Sequence, residues 1–277
     1  MWAAIDNPAA NGAASSNSGF VIGDDGVVVI DSFTSAAAAK QLLAEIRRRT
    51  KLPVKFVINT HHHVDHVAGN GVFADAGATI VAHRNVRAWI RAENLRFVDD
   101  KTPPDIRAML EGLRAPSVVY TDALNLYLGT RQIQVRFFPG HTGGDTVVLV
   151  PDAGVAFAGD LLWRRMLPNM FDGTAAAWIA TLDTLAKANA GYTFIPGHGD
   201  VANARDVAAL RDYVGRLRTL VGDAQRQGKS GKALLEAVTP TLTKTYGRWD
   251  DFAVRVLESN IADMEAELSG KKRVPQP

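Results

Sequence analysis

The chain contains no cysteine. Disulfides, thiolate nucleophiles and every cysteine-containing zinc site are therefore excluded. The compartment stays open, because cysteine-free proteins occur in reducing and oxidising spaces alike: cytoplasmic, or periplasmic for a mature exported form. An excess of either charge is also missing. Against 29 acidic residues stand 31 lysines and arginines, a formal net charge of +2, too small to imply a nucleic acid or another polyanionic partner. No apolar run approaches the roughly 20 residues of a membrane span, so no membrane association is expected. The opening MWAAIDNPAANGAASSNSG pairs no basic region with a hydrophobic one and does not read as a signal peptide. Only the end, SGKKRVPQP, carries a basic run, which reads as a flexible, solvated tail over 269–277.

What remains is an ordinary globular composition, 47% apolar and 22% charged over 277 residues. It is long enough for a substantial core. One domain is expected over 1–268, with a metal-binding core at about 18–200 and a helical segment at about 203–268. Phe20 to Ile22 and Val27 to Asp31 are β-branched runs flanking GDDG, a hairpin signal. Thr34 to Thr50 has helix formers throughout, and Val54 to Asn59 reads as a strand. The strand TIVAH (Thr79 to His83) precedes a helix for which Asn85 is the expected cap. Short strands follow from Val118 to Gly159, then mostly helix apart from YTFIPG. Beyond Asn203, Val207, Leu210, Val214, Leu217 and Val221 recur at spacings of three and four, a core-facing helical stripe. The order strands, helices, strands, helices favours two β layers flanked by helices over regular βαβ alternation.

Four of the seven histidines fall in INTHHHVDHVAGN, which directly follows the strand ending at Asn59. In an extended segment, residues i and i+2 project to one side. His61 and His63 can thus converge on one metal while His62 points away. Asp65 and His66, where the chain turns helical, can aim at a second point. FFPGHTGGD delivers His141 into a glycine-rich turn after a strand, and FIPGHGD does the same for His198. VAFAGDLLW places Asp160 just beyond a buried strand, where an unpaired carboxylate is costly. Together these residues supply nitrogen and oxygen ligands for two metals, with a carboxylate available to bridge them.

The set His61-x-His63-x-Asp65-His66, His141, Asp160 and His198 resembles the metallo-β-lactamase superfamily over roughly residues 18 to 200. The resemblance implies an αββα sandwich with a cleft at one edge. It implies that His61, His63 and His141 hold one metal, that Asp65, His66 and His198 hold the other, and that Asp160 bridges. Two Zn2+ per chain are expected, with iron or manganese admissible. Two dications roughly 3.5–4 Å apart lower the pKa of a shared water and supply hydroxide near neutral pH. Asp160 and Asp65 are the catalytic candidates, Asp65 through orientation of the hydroxide. Thr60, His62, Thr142, Asp145 and Asp200 are candidates for contacts behind the ligands.

Departures narrow the branch. Where β-lactamases with a cysteine ligand carry an anchoring lysine, and quorum-sensing lactonases a tyrosine, this chain has Trp163. The anchoring serine of another β-lactamase subclass corresponds to Leu162. The glutathione-contacting lysine and tyrosine of glyoxalase II enzymes correspond to Asn169 and Phe171. Arg164 or Arg165 is the remaining candidate anion anchor, although a surface charge pair is the plainer role. The segment Trp163 to Phe171 is the expected substrate-facing lid. Two functions follow: a dinuclear zinc hydrolase of a small carbonyl substrate (β-lactam, lactone, ester or thioester), or a mononuclear iron enzyme of the persulfide dioxygenase type using His61, His141 and Asp160. Phosphodiester hydrolysis is a further alternative. The oligomeric state is open.

Overall fold

A computed structural model describes residues 1–5, 15–250 and 253–276. The first sheet has six strands in chain order: β1 (Trp2–Ala4), β2 (Ser18–Ile22), β3 (Val27–Ile30), β4 (Val54–Ile58), β5 (Thr79–His83) and β6 (Val118–Tyr120). The GDDG turn joins β2 to β3 antiparallel with Ile22 opposite Val27. From β3 to β6 every pairing is parallel. The carboxyl ends of these strands therefore share one edge.

The second sheet contains β7 (Ala123–Leu128), β8 (Arg131–Phe137), β9 (Thr146–Val150), β10 (Val155–Trp163) and β11 (Thr193–His198), in the order β11-β10-β9-β8-β7. It is antiparallel except for β10 and β11, whose parallel pairing sets Trp163 beside His198. Helices α1 (Ala36–Arg49), α2 (Val64–Val67), α3 (Asn70–Asp75), α4 (Arg84–Leu95) and α5 (Pro104–Glu111) belong to the first half. In the second half lie α6 (Ala175–Ala188), α7 (Ala204–Arg226), α8 (Gly231–Tyr246) and α9 (Val254–Leu268).

Strand β3 shows why the layers form. All four of its residues are apolar and buried, as befits a strand covered on both faces. Val27 and Val29 face Leu42 and Ile46 of α1, while Val28 and Ile30 face the other sheet through Ile133, Val135 and Val148. On the outer side of the second sheet, Ala156 and Ala158 of β10 meet Trp178 and Leu182 of α6 and the α7 stripe. All five stripe residues are buried. The architecture is the expected αββα sandwich. Among the described residues, no helix is long and apolar enough to cross a membrane.

Two local readings differ from the sequence expectation. Helix α4 starts one residue before Asn85, and its cap is His83, whose Nδ1 accepts from the Asn85 amide. Asn85 instead donates its side-chain amide to the Gly143 carbonyl at 2.8 Å, tying α4 to the His141 turn. Residues 271–276, expected to be a solvated tail, lie against the body. Lys272 Nζ donates to Met170 O (2.5 Å), Arg273 pairs with Glu93 in two contacts (2.8 and 2.9 Å), and Trp89 Nε1 donates to Gln276 O (2.7 Å).

Candidate metal centre

The parallel strands of the first sheet deliver their ends to the edge where β10 and β11 also terminate. After Ile58 the chain leaves β4 and turns through His61, His62 and His63, and α2 begins at Val64. His141 follows β8 in a turn fixed by Thr142 and Asp145. The Asp145 carboxylate accepts from the Thr142 amide and hydroxyl at 2.8 and 2.5 Å. Asp160, expected just beyond a strand, lies inside β10 because that strand runs on to Trp163, and His198 closes β11.

Asp160 lies between two clusters. Its Oδ2 is 3.3 Å from His141 Nε2 and 3.8 Å from His61 Nε2. His63 joins this first cluster through Nδ1, 3.0 Å from His141 Nε2. The other oxygen, Oδ1, is 3.0 Å from His66 Nε2 and 3.4 Å from His198 Nε2. Asp65 Oδ2 completes the second cluster at 3.3 Å from His198 Nε2 and 3.5 Å from His66 Nε2. One carboxylate thus gives one oxygen to each cluster. Gly197 makes room for it, because a Cβ there would overlap Asp160 Oδ1. Gly159 has φ +51°, in the left-handed region, and packs on Thr60 where a side chain would collide.

The donor set fits divalent metal ions. His61 Nε2, His66 Nε2, His198 Nε2 and Asp160 Oδ1 are buried with no hydrogen-bond partner among the described residues, and leaving such groups unpaired is costly. Electrostatics divides the clusters. Burial holds His61 well below its ordinary pKa, with the neighbouring His66 adding to the effect, and lowers His141 to about 3, so both lone pairs are available near neutral pH. Burial also opposes charge on His66 and His198. There it is outweighed by carboxylates, Asp160 foremost, which push His66 well up and His198 to about 9. Burial likewise disfavours the Asp160 carboxylate, yet His198, His66 and His61 hold its pKa well below the ordinary range. A bound cation would compete with protons for the nitrogens of the second cluster.

Carboxylates behind the clusters orient the rings. Asp31, at the end of β3 with φ +58°, accepts from the Thr60 amide and hydroxyl, each at 2.7 Å, and contacts His66 Nδ1 at 2.8 Å. Thr60 Oγ1 also lies 3.1 Å from His61 Nδ1. Asp172 Oδ2 is 3.0 Å from His63 Nε2 and 3.4 Å from His62 Nε2. His62, His63 and Asp172 are close enough to form a third ligand group, but the Arg96 guanidinium already holds Asp172 Oδ1 at 2.7 Å. That fixed positive charge opposes a cation there. Sequence reasoning missed Asp31, Asp172 and Arg96. The signal for Asp31 was the one that found Asp160: a carboxylate directly after a buried apolar strand.

The remaining candidates are dispersed. Trp163 stacks on His198 with ring centroids 3.8 Å apart. Phe171 lies 5.1 Å from the His63 ring and meets Phe97, which is 62% exposed. Asn169 Oδ1 is buried with no hydrogen-bond partner among the described residues. Arg164 pairs with Asp200 at 2.9 Å, and Arg165 lies 3.6 Å from Asp250. Thr142 and Asp145 bond to each other and shape the turn that presents His141.

A family model described as the metallo-beta-lactamase superfamily matches residues 11–198. A hydroxyacylglutathione hydrolase from Rhodobacter capsulatus is 30% identical over 234 residues, covering 83% of this chain and 81% of its own. A linear primary-alkylsulfatase from Pseudomonas sp. (strain ATCC 19151) is 23% identical over 274 residues, 80% of this chain and 51% of its own. The chain thus spans about half the length of that alkylsulfatase. A solved metallo-beta-lactamase family protein from Thermus thermophilus superposes with a TM-score of 0.66 at 22% identity, covering 92% of this chain and 89% of that one.

Proposed function

Because this chain belongs to the metallo-β-lactamase superfamily, we propose that it is a dinuclear zinc hydrolase acting on a small ester or thioester with an apolar group beside the scissile bond. The observation that carries the reading is the split of Asp160, one oxygen toward each cluster. His61, His63, His141 and Asp160 would hold one ion, and Asp65, His66, His198 and Asp160 the other. Two bound divalent ions supply a hydroxide at neutral pH and polarise the substrate oxygen.

The chain's own residues do the rest. The neutral nitrogens of His61 and His141 offer ligation without first losing a proton. Asp65, more exposed than the other carboxylates of the centre, can accept a hydrogen bond from the attacking water and fix its direction. Trp163 forms a flat wall on His198. Phe171 lies beside His63, and the exposed Phe97 packs on it at the rim. Arg96 stands over both phenyl rings, yet Glu93 and Asp172 already neutralise it. Arg164 and Arg165 are committed to aspartates. The rim is therefore better suited to an apolar group than to the carboxylate of a β-lactam.

A mononuclear iron site on His61, His141 and Asp160 would leave Asp65, His66 and His198 without an ion although their ligand atoms converge, which favours the two-metal reading. Elemental analysis combined with a panel of thioester, ester, lactone, cephalosporin, alkyl sulfate and phosphodiester substrates tests the proposal. About two zinc per chain and fastest turnover of an acyl ester or thioester are expected. One iron per chain with oxygen uptake would overturn it, as would preference for a cephalosporin, alkyl sulfate or phosphodiester.

A further inference from the structure

Asp172 lies in the loop between β10 and α6, almost fully buried. It is the carboxylate that reaches the distal nitrogen of His63, and it is itself held from behind. Arg96 donates to Asp172 Oδ1 at 2.7 Å and to Glu93 Oε2 at 2.7 Å. Glu93 in turn accepts both terminal nitrogens of Arg273 at 2.8 and 2.9 Å. Signs alternate along the ladder Arg273, Glu93, Arg96, Asp172, so each member is attracted to its neighbours. Such charge-assisted bonds are about twice as strong as neutral ones. The side chains of Glu93 and Asp172 are only 8% and 1% exposed, so water competes poorly for them.

The same loop and the first residue of α6 are fastened to the C-terminal part of the chain at three further points. Asn260 donates to Pro168 O at 2.8 Å, Lys272 to Met170 O at 2.5 Å, and the Glu267 carboxylate accepts from the Ala175 amide at 2.9 Å. On the far side, Trp89 Nε1 grips Gln276 O at 2.7 Å. The loop behind His63 is therefore clamped between α4 and the C-terminal residues.

We propose that Asp172 is a positioning residue for His63, and that residues 272–276 form a strap holding Asp172 in place through Glu93 and Arg96. Ion retention at the first site would then depend on the end of the chain. The proposal rests on the two-metal reading above. Its physical basis is the two-sided character of imidazole: a carboxylate on Nε2 keeps the proton there and leaves the Nδ1 lone pair facing His141 and Asp160. Without that contact the ring is free to turn, and an ion bound at the first site loses a fixed donor. Asp172 touches no reacting atom in this scheme and acts only through His63.

The test uses the full-length protein loaded with Zn2+ or Co2+, titrated with a chelator. Three variants are compared with wild type: Asp172→Asn, Arg273→Ala and Arg273→Lys. Asp172→Asn should weaken retention of one of the two ions by on the order of 10–100-fold, the usual scale for an outer-shell partner, and leave the other unchanged. Its Co2+ absorption bands should shift. Arg273→Ala alters only the exposed end of the ladder, where folding should be retained. It should give a smaller loss at the same ion, and Arg273→Lys should recover part of it. Wild type retaining two ions while all three variants match its retention and spectrum would overturn this proposal alone. Loss of both ions together in each variant would also overturn it, by marking a general folding defect. Wild type retaining fewer than two ions would overturn the two-metal reading and the proposal with it.

Discussion

The indole of Trp163 lies parallel to the imidazole of His198, with centroids 3.8 Å and planes 23° apart. The parallel register of β10 and β11 creates this contact by setting the two residues side by side. Stacked aromatic pairs contribute about 0.5–1.5 kcal/mol beyond area burial. Trp163→Ala should therefore weaken retention of the second-site ion by roughly 2- to 10-fold, and Trp163→Phe by less. Ion binding at His198 should also perturb Trp163 emission, so Trp163→Phe should reduce the fluorescence change seen on zinc titration.

Asp160→Ala removes the carboxylate that faces both clusters and leaves their imidazoles around an apolar gap. Turnover should disappear and bound zinc should fall below two per chain by elemental analysis. Near-normal rates would refute the dinuclear reading. Chelation of the wild-type protein should abolish activity in the same way, and added zinc should restore it.

Asp31→Ala would orphan two buried donors from Thr60 and release His66 Nδ1. Each unsatisfied buried partner costs about 1–3 kcal/mol, so chemical denaturation should show a loss of about 2–5 kcal/mol. Asp31→Asn should cost less, because asparagine also tolerates the left-handed backbone at this position and can still accept. Equal losses in both variants would show that charge, rather than the hydrogen bonds, carries the effect.

The strap should open in acid. Hydrogen bonding from Arg273 lowers the Glu93 pKa below its ordinary value near 4.5. A carboxylate lowered in the folded state contributes its stability above the ordinary value and loses it as the pH falls through the folded one. Hydrogen-exchange protection in 271–276, taken relative to the intrinsic rate at each pH, should thus hold at neutral pH and fall selectively below about pH 4.5. In Arg273→Ala it should already be reduced at pH 7.

Phe97→Ala removes an exposed ring from the rim. KM for a long-chain acyl ester should rise by roughly 3- to 10-fold, in line with about 0.8 kcal/mol per buried methylene. An acetyl ester should be unaffected. The same rise for both substrates would argue against an apolar subsite.

The layers were legible because β-branched runs and helical stripes are local patterns, as Val28 and Leu210 illustrate. The seven clustered side chains were legible for a related reason: they lie at or near strand ends, and four of the seven histidines fall within six positions. Asp172 was not legible, because its meaning lies in a partner 109 positions away, and Asp31, although it follows a buried apolar strand, takes its role from a partner 35 positions on. Asn85 looked like a cap because its type suits one, but its amide is taken by Gly143 across the fold. The basic run near the C-terminus reads as solvated until Glu93 is brought to Arg273 by the packing of α4. Charge alone does not reveal which lysines and arginines will find buried partners.

Gly197 contributes no atom to either cluster, yet it stands where the Asp160 carboxylate must pass. A single methyl group there would press on the one side chain that both clusters share. Gly197→Ala should therefore silence the centre while leaving every donor in the sequence intact. An inventory of metal-binding residues would score that variant as complete. The centre depends on one position being vacant as much as on seven being filled.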